Sequence, residues 1–176
     1  DETLRAALGR LGTLAQGCPV VLCGMAGARD GLAEAAYVPC PGGRQAWIEA
    51  GMRLALDDLA VTILPGFSYR DERGRPDAMR GEEAQVFGAL ERHEADDALA
   101  DIVLPGTHSK WVRVEQGRIT RFATCPTGEL HARLLGSSMA PAAPGEGTSG
   151  SAEGFSAGID RACEDSPLLA SLFEAR

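Results

Sequence analysis

The sequence predicts an α/β fold, on two observations. Short apolar runs that stop at Gly or Pro alternate with stretches whose apolar residues recur at helical spacing. The residue types able to do chemistry then collect where those runs stop, at strand ends and helix starts, which is where α/β folds build their sites.

Taken in order, ETLRAALGRLGTLA (2–15) puts Leu4, Ala7, Leu8, Leu11 and Leu14 on one helical face, and Gly17 and Pro19 end that helix. PVVLC (19–23) reads as a short buried strand, and GMAGARDG after it as a loop whose glycines let backbone approach a ligand. A helix is expected over 44–58, a strand over 60–66, and a polar connecting loop over 67–78, FSYRDERGRPDA. RGEEAQVFGALERHE (80–94) predicts a helix with Val86, Phe87 and Leu90 on its apolar side. Three strands follow at 101–106, 109–115 and 118–124, the last two joined by a tight turn at Gln116-Gly117. TGELHARLLGSSMA (127–140) predicts a helix with Thr127 as its N-cap. Residues 141–153 are of low complexity, and two short helices, 154–164 and 166–175, close the chain.

Composition narrows the function classes. With 44% hydrophobic and 24% charged residues, the 176-residue chain is that of a globular protein, long enough for one sizeable domain or two small lobes. A net charge of -8 argues against nucleic acid and against an anionic membrane surface, both of which need a basic field. It leaves a small anionic ligand open, since that needs only local donors. Five cysteines without a CxxC pair signal neither a zinc site nor a disulfide scaffold, and are expected as thiols in a cytoplasmic protein. No apolar run approaches the ~20 residues needed to span a bilayer.

Four stretches could carry chemistry. In PGTHSK, Gly106, Thr107, His108, Ser109 and Lys110 set a flexible backbone, two hydroxyls, an imidazole and an ammonium at the end of an apolar strand. Backbone N–H groups in such a turn can cradle an anion, and a lysine supplies a point charge. A solvated hairpin connection would have the same composition, and the GxxxxGK[ST] spacing of a Walker loop is absent. MRGEEAQ places Glu82 and Glu83 in a first helical turn, where the helix dipole favours acids anyway; either could instead serve as a general base. CGMAGARDG offers Gly24, Met25 and Arg29 to a ligand, or is simply a tight turn. TCPTGEL puts Thr127, Gly128 and Glu129 at a helix N-terminus, a natural site for an anion or hydroxyl and equally an ordinary capped helix. Cys125 as a thiol nucleophile has no motif behind it.

In order along the chain, CGMAGARDGLAEAAYVPCP (23–41), ILPG (63–66), PDAMRGEEAQVFGAL (76–90), LPGTHSKWVRVEQGRITRF (104–122) and TCPTGEL (124–130) resemble the 2-dehydro-3-deoxygalactonokinase (2-keto-3-deoxy-galactonokinase) family. The resemblance implies a two-lobed actin/hexokinase-like sugar kinase fold. It implies transfer of the ATP γ-phosphoryl group, with Mg²⁺, to the 6-hydroxyl of 2-dehydro-3-deoxy-D-galactonate. Small-molecule sugar acid and nucleotide are then the partners, and PGTHSK the phosphate-gripping turn. It further implies Glu82 as the base, with Glu83 and Asp77 as alternatives, and Gly24, Met25, Arg29, Arg80, Thr127, Gly128 and Glu129 on the sugar-acid side. Residues 1–70 would finish one lobe and 71–176 begin the other. A phosphate-gripping Asp-x-Gly-Thr turn would precede residue 1 and an adenosine segment would follow residue 176, so no appreciable turnover is expected of the 176 residues alone. Departures fall in the sugar-facing block, where Ala28 and Leu32 stand in place of Ser and a larger residue such as Trp, and at Pro126 in place of Met. They bear on substrate choice. A module on the same fold that binds sugar acid or nucleotide without turnover is the alternative.

Overall fold

The structure, a computed structural model, describes residues 2–12, 17–56, 59–92, 99–135, 152–164 and 167. It is a mixed α/β chain of two compact units, residues 1–125 and 126–176. All of the expected helix 166–175 but residue 167, the distal end of the helix 127–140, and almost all of the low-complexity stretch lie outside the described residues.

The first unit opens with helix α1 (Glu2–Leu11) and strand β1 (Val20–Leu22). After a single 3-10 turn, Gly24–Gly27, come β2 (Tyr37–Pro39), β3 (Gly42–Gly43) and helix α2 (Arg44–Glu49). Strands β4 (Met52–Leu56), β5 (Leu59–Ile63), β6 (Gly66–Arg70) and β7 (Pro76–Met79) precede helix α3 (Glu82–Arg92). The strands β8 (Leu99–Leu104), β9 (Ser109–Glu115) and β10 (Arg118–Cys125) finish the unit. They form three sheets, in the orders β1-β5-β4, β2-β6-β7 and β3-β10-β9-β8.

Two expectations are overturned. The helix 44–58 stops at Glu49, and residues 52–56 are instead strand β4, paired antiparallel with β5. Met52, Leu54 and Leu56 are half-buried while Arg53 and Ala55 are exposed, a period of two that the helix-favouring residue types conceal. The loop 67–78 is a β-hairpin, with Phe67 opposite Met79 and Tyr69 opposite Asp77. Most of its charges gather in the turn, Asp71 to Arg75. There the Asp71 carboxylate accepts the backbone N–H groups of Arg73 and Arg75 at 2.9 Å each. Residues 70 and 71, where a lobe division was expected, lie within this hairpin. The β9–β10 turn forms as read: Gln116 and Gly117 both have positive φ, 51° and 69°, the backbone of a two-residue type I′ connection.

The main core lies between α3 and the two sheets built on β6 and β9, with Phe67, Val86, Val112 and Ile119 all buried. Trp47 and Phe87 rings meet at 5.3 Å, and the buried Trp47 indole N–H donates to the Pro65 carbonyl at 2.7 Å. Val86 and Phe87 of α3 share this core with Val112 and Val114 of β9, which holds the helix against that strand. In the second unit, α4 (Thr127–Leu135) begins on Thr127 itself, so Pro126 holds the cap position expected of Thr127. The helix α5 (Ala152–Ala162) follows.

Candidate active site

The first turn of α3 and the turn after β8 face each other across a cleft of about 410 Å³. Arg80, Gly81, Glu82 and Gln85 line it from one side, and Leu104 to His108 from the other. Thus two motifs more than twenty residues apart, MRGEE and LPGTH, meet in one place. Gln85 was not singled out from the sequence. Its signal was there: it lies three residues after Glu82, on the same helical face.

The two neighbouring glutamates part company because consecutive helical residues point about 100° apart. Glu83 lies three residues before Val86 and four before Phe87, on the stripe that enters the core, and is 0% exposed. Both its oxygens accept the Gly81 N–H at 2.8 Å. Burial pushes its carboxyl up to about 7; the charge of Glu82 adds to the rise, while backbone N–H groups and Arg80 oppose it. Glu82 instead faces the cleft. One of its oxygens is 3.2 Å from the Lys110 ammonium and the other accepts the Arg80 N–H at 3.0 Å.

The turn that feeds this helix is fixed from behind. Gly81 has φ +111° and Gly24 φ +72°, and their backbones nearly touch: a Cβ on Gly81 would lie 3.1 Å from the Gly24 Cα. The GMAG segment therefore supports the MRGEE turn rather than standing apart from it. Gly81→Ala should cost about 1–3 kcal/mol of stability through the strained φ and lower turnover as well. Thermal unfolding beside a kcat measurement checks both.

Arg80 turns away from the cleft at its tip. Its guanidinium stacks 4.2 Å from the Tyr37 ring centroid and donates to the Ala35 carbonyl at 2.8 Å, leaving Nε and Nη1 buried without a hydrogen-bond partner. Met25 and Arg29 are exposed and do not line the cleft. Thr127, Gly128 and Glu129 belong to the second unit, with Glu129 in the first turn of α4.

On the opposite wall, residues 105–108 are exposed while Ser109 and Lys110, the first two of β9, are buried. Gly106 does not owe its place to a strained backbone. Its φ is not positive, and a Cβ there would find its nearest neighbour, the His108 carbonyl oxygen, at 3.9 Å. What the glycine contributes is open space above the turn, where another molecule can approach.

Asp77 lies elsewhere. Its carboxylate takes the Thr124 hydroxyl at 2.6 Å and the Thr124 N–H at 2.8 Å, tying β7 to β10. It borders a separate groove of about 710 Å³ whose other charges largely pair among themselves, Arg113 with Asp101 and Arg75 with Asp71. Asp77→Asn is expected to lower stability by about 1–3 kcal/mol and to leave kcat within about threefold, as urea unfolding and steady-state kinetics would register. A larger loss of kcat would return Asp77 to the chemistry.

A carboxylate at a helix start looks across a small cleft at a polar turn between strands, an arrangement with room for a small molecule. The chain belongs to the 2-keto-3-deoxy-galactonokinase family, whose model matches residues 1–176. It is 47% identical over 115 residues to a Rhizobium meliloti (strain 1021) protein assigned as a 2-dehydro-3-deoxygalactonokinase, covering 64% of this chain and 36% of that protein. It is 37% identical over 160 residues to the 2-dehydro-3-deoxygalactonokinase of Escherichia coli (strain K12), covering 90% of this chain and 51% of the other. A crystal structure from Sinorhizobium meliloti, assigned to the same activity, superposes with a TM-score of 0.77 at 35% identity, over 92% of this chain and 53% of that one. The chain thus spans about half, or less, of the length of these relatives.

Among the described residues no helix is long and apolar enough to cross a membrane, and no three His, Cys, Asp or Glu side chains gather to hold a metal ion.

Proposed function

We propose that this protein is an ATP-dependent kinase that phosphorylates the 6-hydroxyl of 2-dehydro-3-deoxy-D-galactonate, on a two-lobed actin/hexokinase-like fold. The observation that carries the reading is the cleft in which Glu82 faces the PGTH turn. Family membership and the names of the relatives supply the substrate class.

In this reading Glu82 is the base. Each oxygen of its carboxylate holds one hydrogen bond or ion pair and keeps a lone pair for a further donor. It accepts the proton of the attacking hydroxyl as that oxygen bonds to the γ-phosphorus and the bridge to the β-phosphate breaks, releasing ADP. The PGTH turn receives phosphate oxygens on its N–H groups and the Thr107 hydroxyl. Mg²⁺ would be held chiefly through those phosphates, as is usual for an ion that keeps much of its water, and would neutralise the charge that develops. The cysteine thiols accord with a reducing compartment such as the cytoplasm.

The test is an ATP-dependent assay of the complete gene product against a panel of 2-keto-3-deoxy sugar acids. Turnover confined to the galactonate form supports the reading. Turnover of another acid keeps the kinase and changes the substrate. Binding of acid or nucleotide without turnover would replace the kinase with a binding module.

A further inference from the structure

We propose that Lys110 is a positioning residue for Glu82 rather than a ligand of the nucleotide phosphates. The inference rests on the reading of Glu82 as the base. The residue type and its place in PGTHSK suggest the opposite, a point charge for phosphate. The geometry points elsewhere.

The exposed part of the turn ends at His108, and with it the cleft wall; Lys110 does not line the cleft. Its side chain is 6% exposed and its ammonium lies 3.2 Å from Glu82 Oε1. Its backbone is held on both sides, opposite Leu104 of β8 and Thr124 of β10, and Thr124 is in turn tied to Asp77. Both ladders fix where the Lys110 side chain is rooted, on the face of β9 that meets Glu82. Withdrawing the ammonium toward a phosphate would exchange one counter-charge for another and leave the Glu82 oxygen at 3.2 Å without its cation. Glu82, by contrast, sits at the end of a helix where an unrestrained carboxylate could rotate. Lys110 takes one oxygen and the Arg80 N–H the other, and together they set the plane of the carboxylate toward the cleft.

The experiment measures kcat and KM for ATP and for sugar acid in the complete gene product, for Lys110→Met, Lys110→Arg, Glu82→Gln and the double variant Glu82→Gln/Lys110→Met. Lys110→Met is expected to lower kcat about 10- to 100-fold, part of the 10²–10⁴ that a positioned base supplies, with KM for ATP within about twofold. Lys110→Arg, which keeps a cation, should recover much of the loss. The double variant should be no slower than Glu82→Gln, because a residue that acts through the carboxylate has nothing left to act on. A rise of about tenfold or more in KM for ATP, or losses that multiply in the double variant, would overturn the proposal and restore Lys110 to the phosphates. Should Lys110→Met fail to fold, Lys110→Arg decides alone: an unchanged KM for ATP with a modest fall in kcat supports positioning, a raised KM overturns it. Full activity of Glu82→Gln is a different result, which removes the base itself and the proposal with it.

Discussion

Glu82→Gln is expected to lower kcat about 10²–10⁴-fold, the usual contribution of a positioned general base, while nucleotide binding survives. The amide preserves the volume of the side chain, and its carbonyl oxygen can still accept the Arg80 N–H that Glu82 takes at 3.0 Å. What it lacks is a lone pair able to take a proton at neutral pH and the negative charge that faces Lys110 at 3.2 Å. Some stability is lost with that pair, so the thermal midpoint and nucleotide affinity are measured beside kcat. Glu82→Asp sharpens the test. It keeps the charge and withdraws it by one methylene, so an intermediate rate is expected. A variant with Gln at 82 that turns over normally would move the base off this helix face.

Glu83→Gln should act on stability and its pH dependence instead. In the folded protein burial holds the Glu83 carboxyl near 7, against an ordinary value of 4.5. Between those values the folded chain keeps a proton that the unfolded chain has released. The stabilisation from this group is therefore fully present below about pH 4.5 and is lost as pH rises through 7. At roughly 1.4 kcal/mol per pKa step, the group withdraws up to about 3 kcal/mol between pH 5 and pH 8. Gln stays neutral and retains one oxygen for the Gly81 N–H, so the variant should show a flatter profile and should be the more stable protein at pH 8. Urea unfolding at the two pH values measures both. A slope that persists in the variant assigns it to another group.

Much of this was legible in the sequence, and the failures have physical causes. The separation of Glu82 from Glu83 follows from counting back from Val86 and Phe87 along a helix. That count was available before any coordinate, but acids in a first turn invite an explanation by the dipole that stops short of it. The strands β9 and β10 are legible to within a residue because the turn between them carries strong local chemistry, whereas β8 begins and ends two residues earlier than expected. Strand β4 was missed because Arg53, Leu54 and Ala55 favour helix on their own, and only pairing with β5 overrules them. The β6–β7 hairpin was missed because its turn, Asp71 to Arg75, is rich enough in charge to colour the whole stretch. Proximity to MRGEE makes Asp77 a candidate base in the sequence; its hold on Thr124 joins residues 47 apart and lies beyond any local pattern. Nor could spacing foretell that Lys110 would be buried where its neighbours two residues earlier are open to water.

The two tryptophans, Trp47 and Trp111, give the molecule a built-in optical contrast. Trp47 is sealed in the core, whereas Trp111 is 55% exposed and begins just past the turn that faces Glu82. The first reports the integrity of the packing and emits as an indole in an apolar medium; the second emits as one in water and lines the separate groove that Asp77 borders. A Trp47→Phe protein would therefore carry one tryptophan, open to water in that groove, and binding there could be followed by titration without a label.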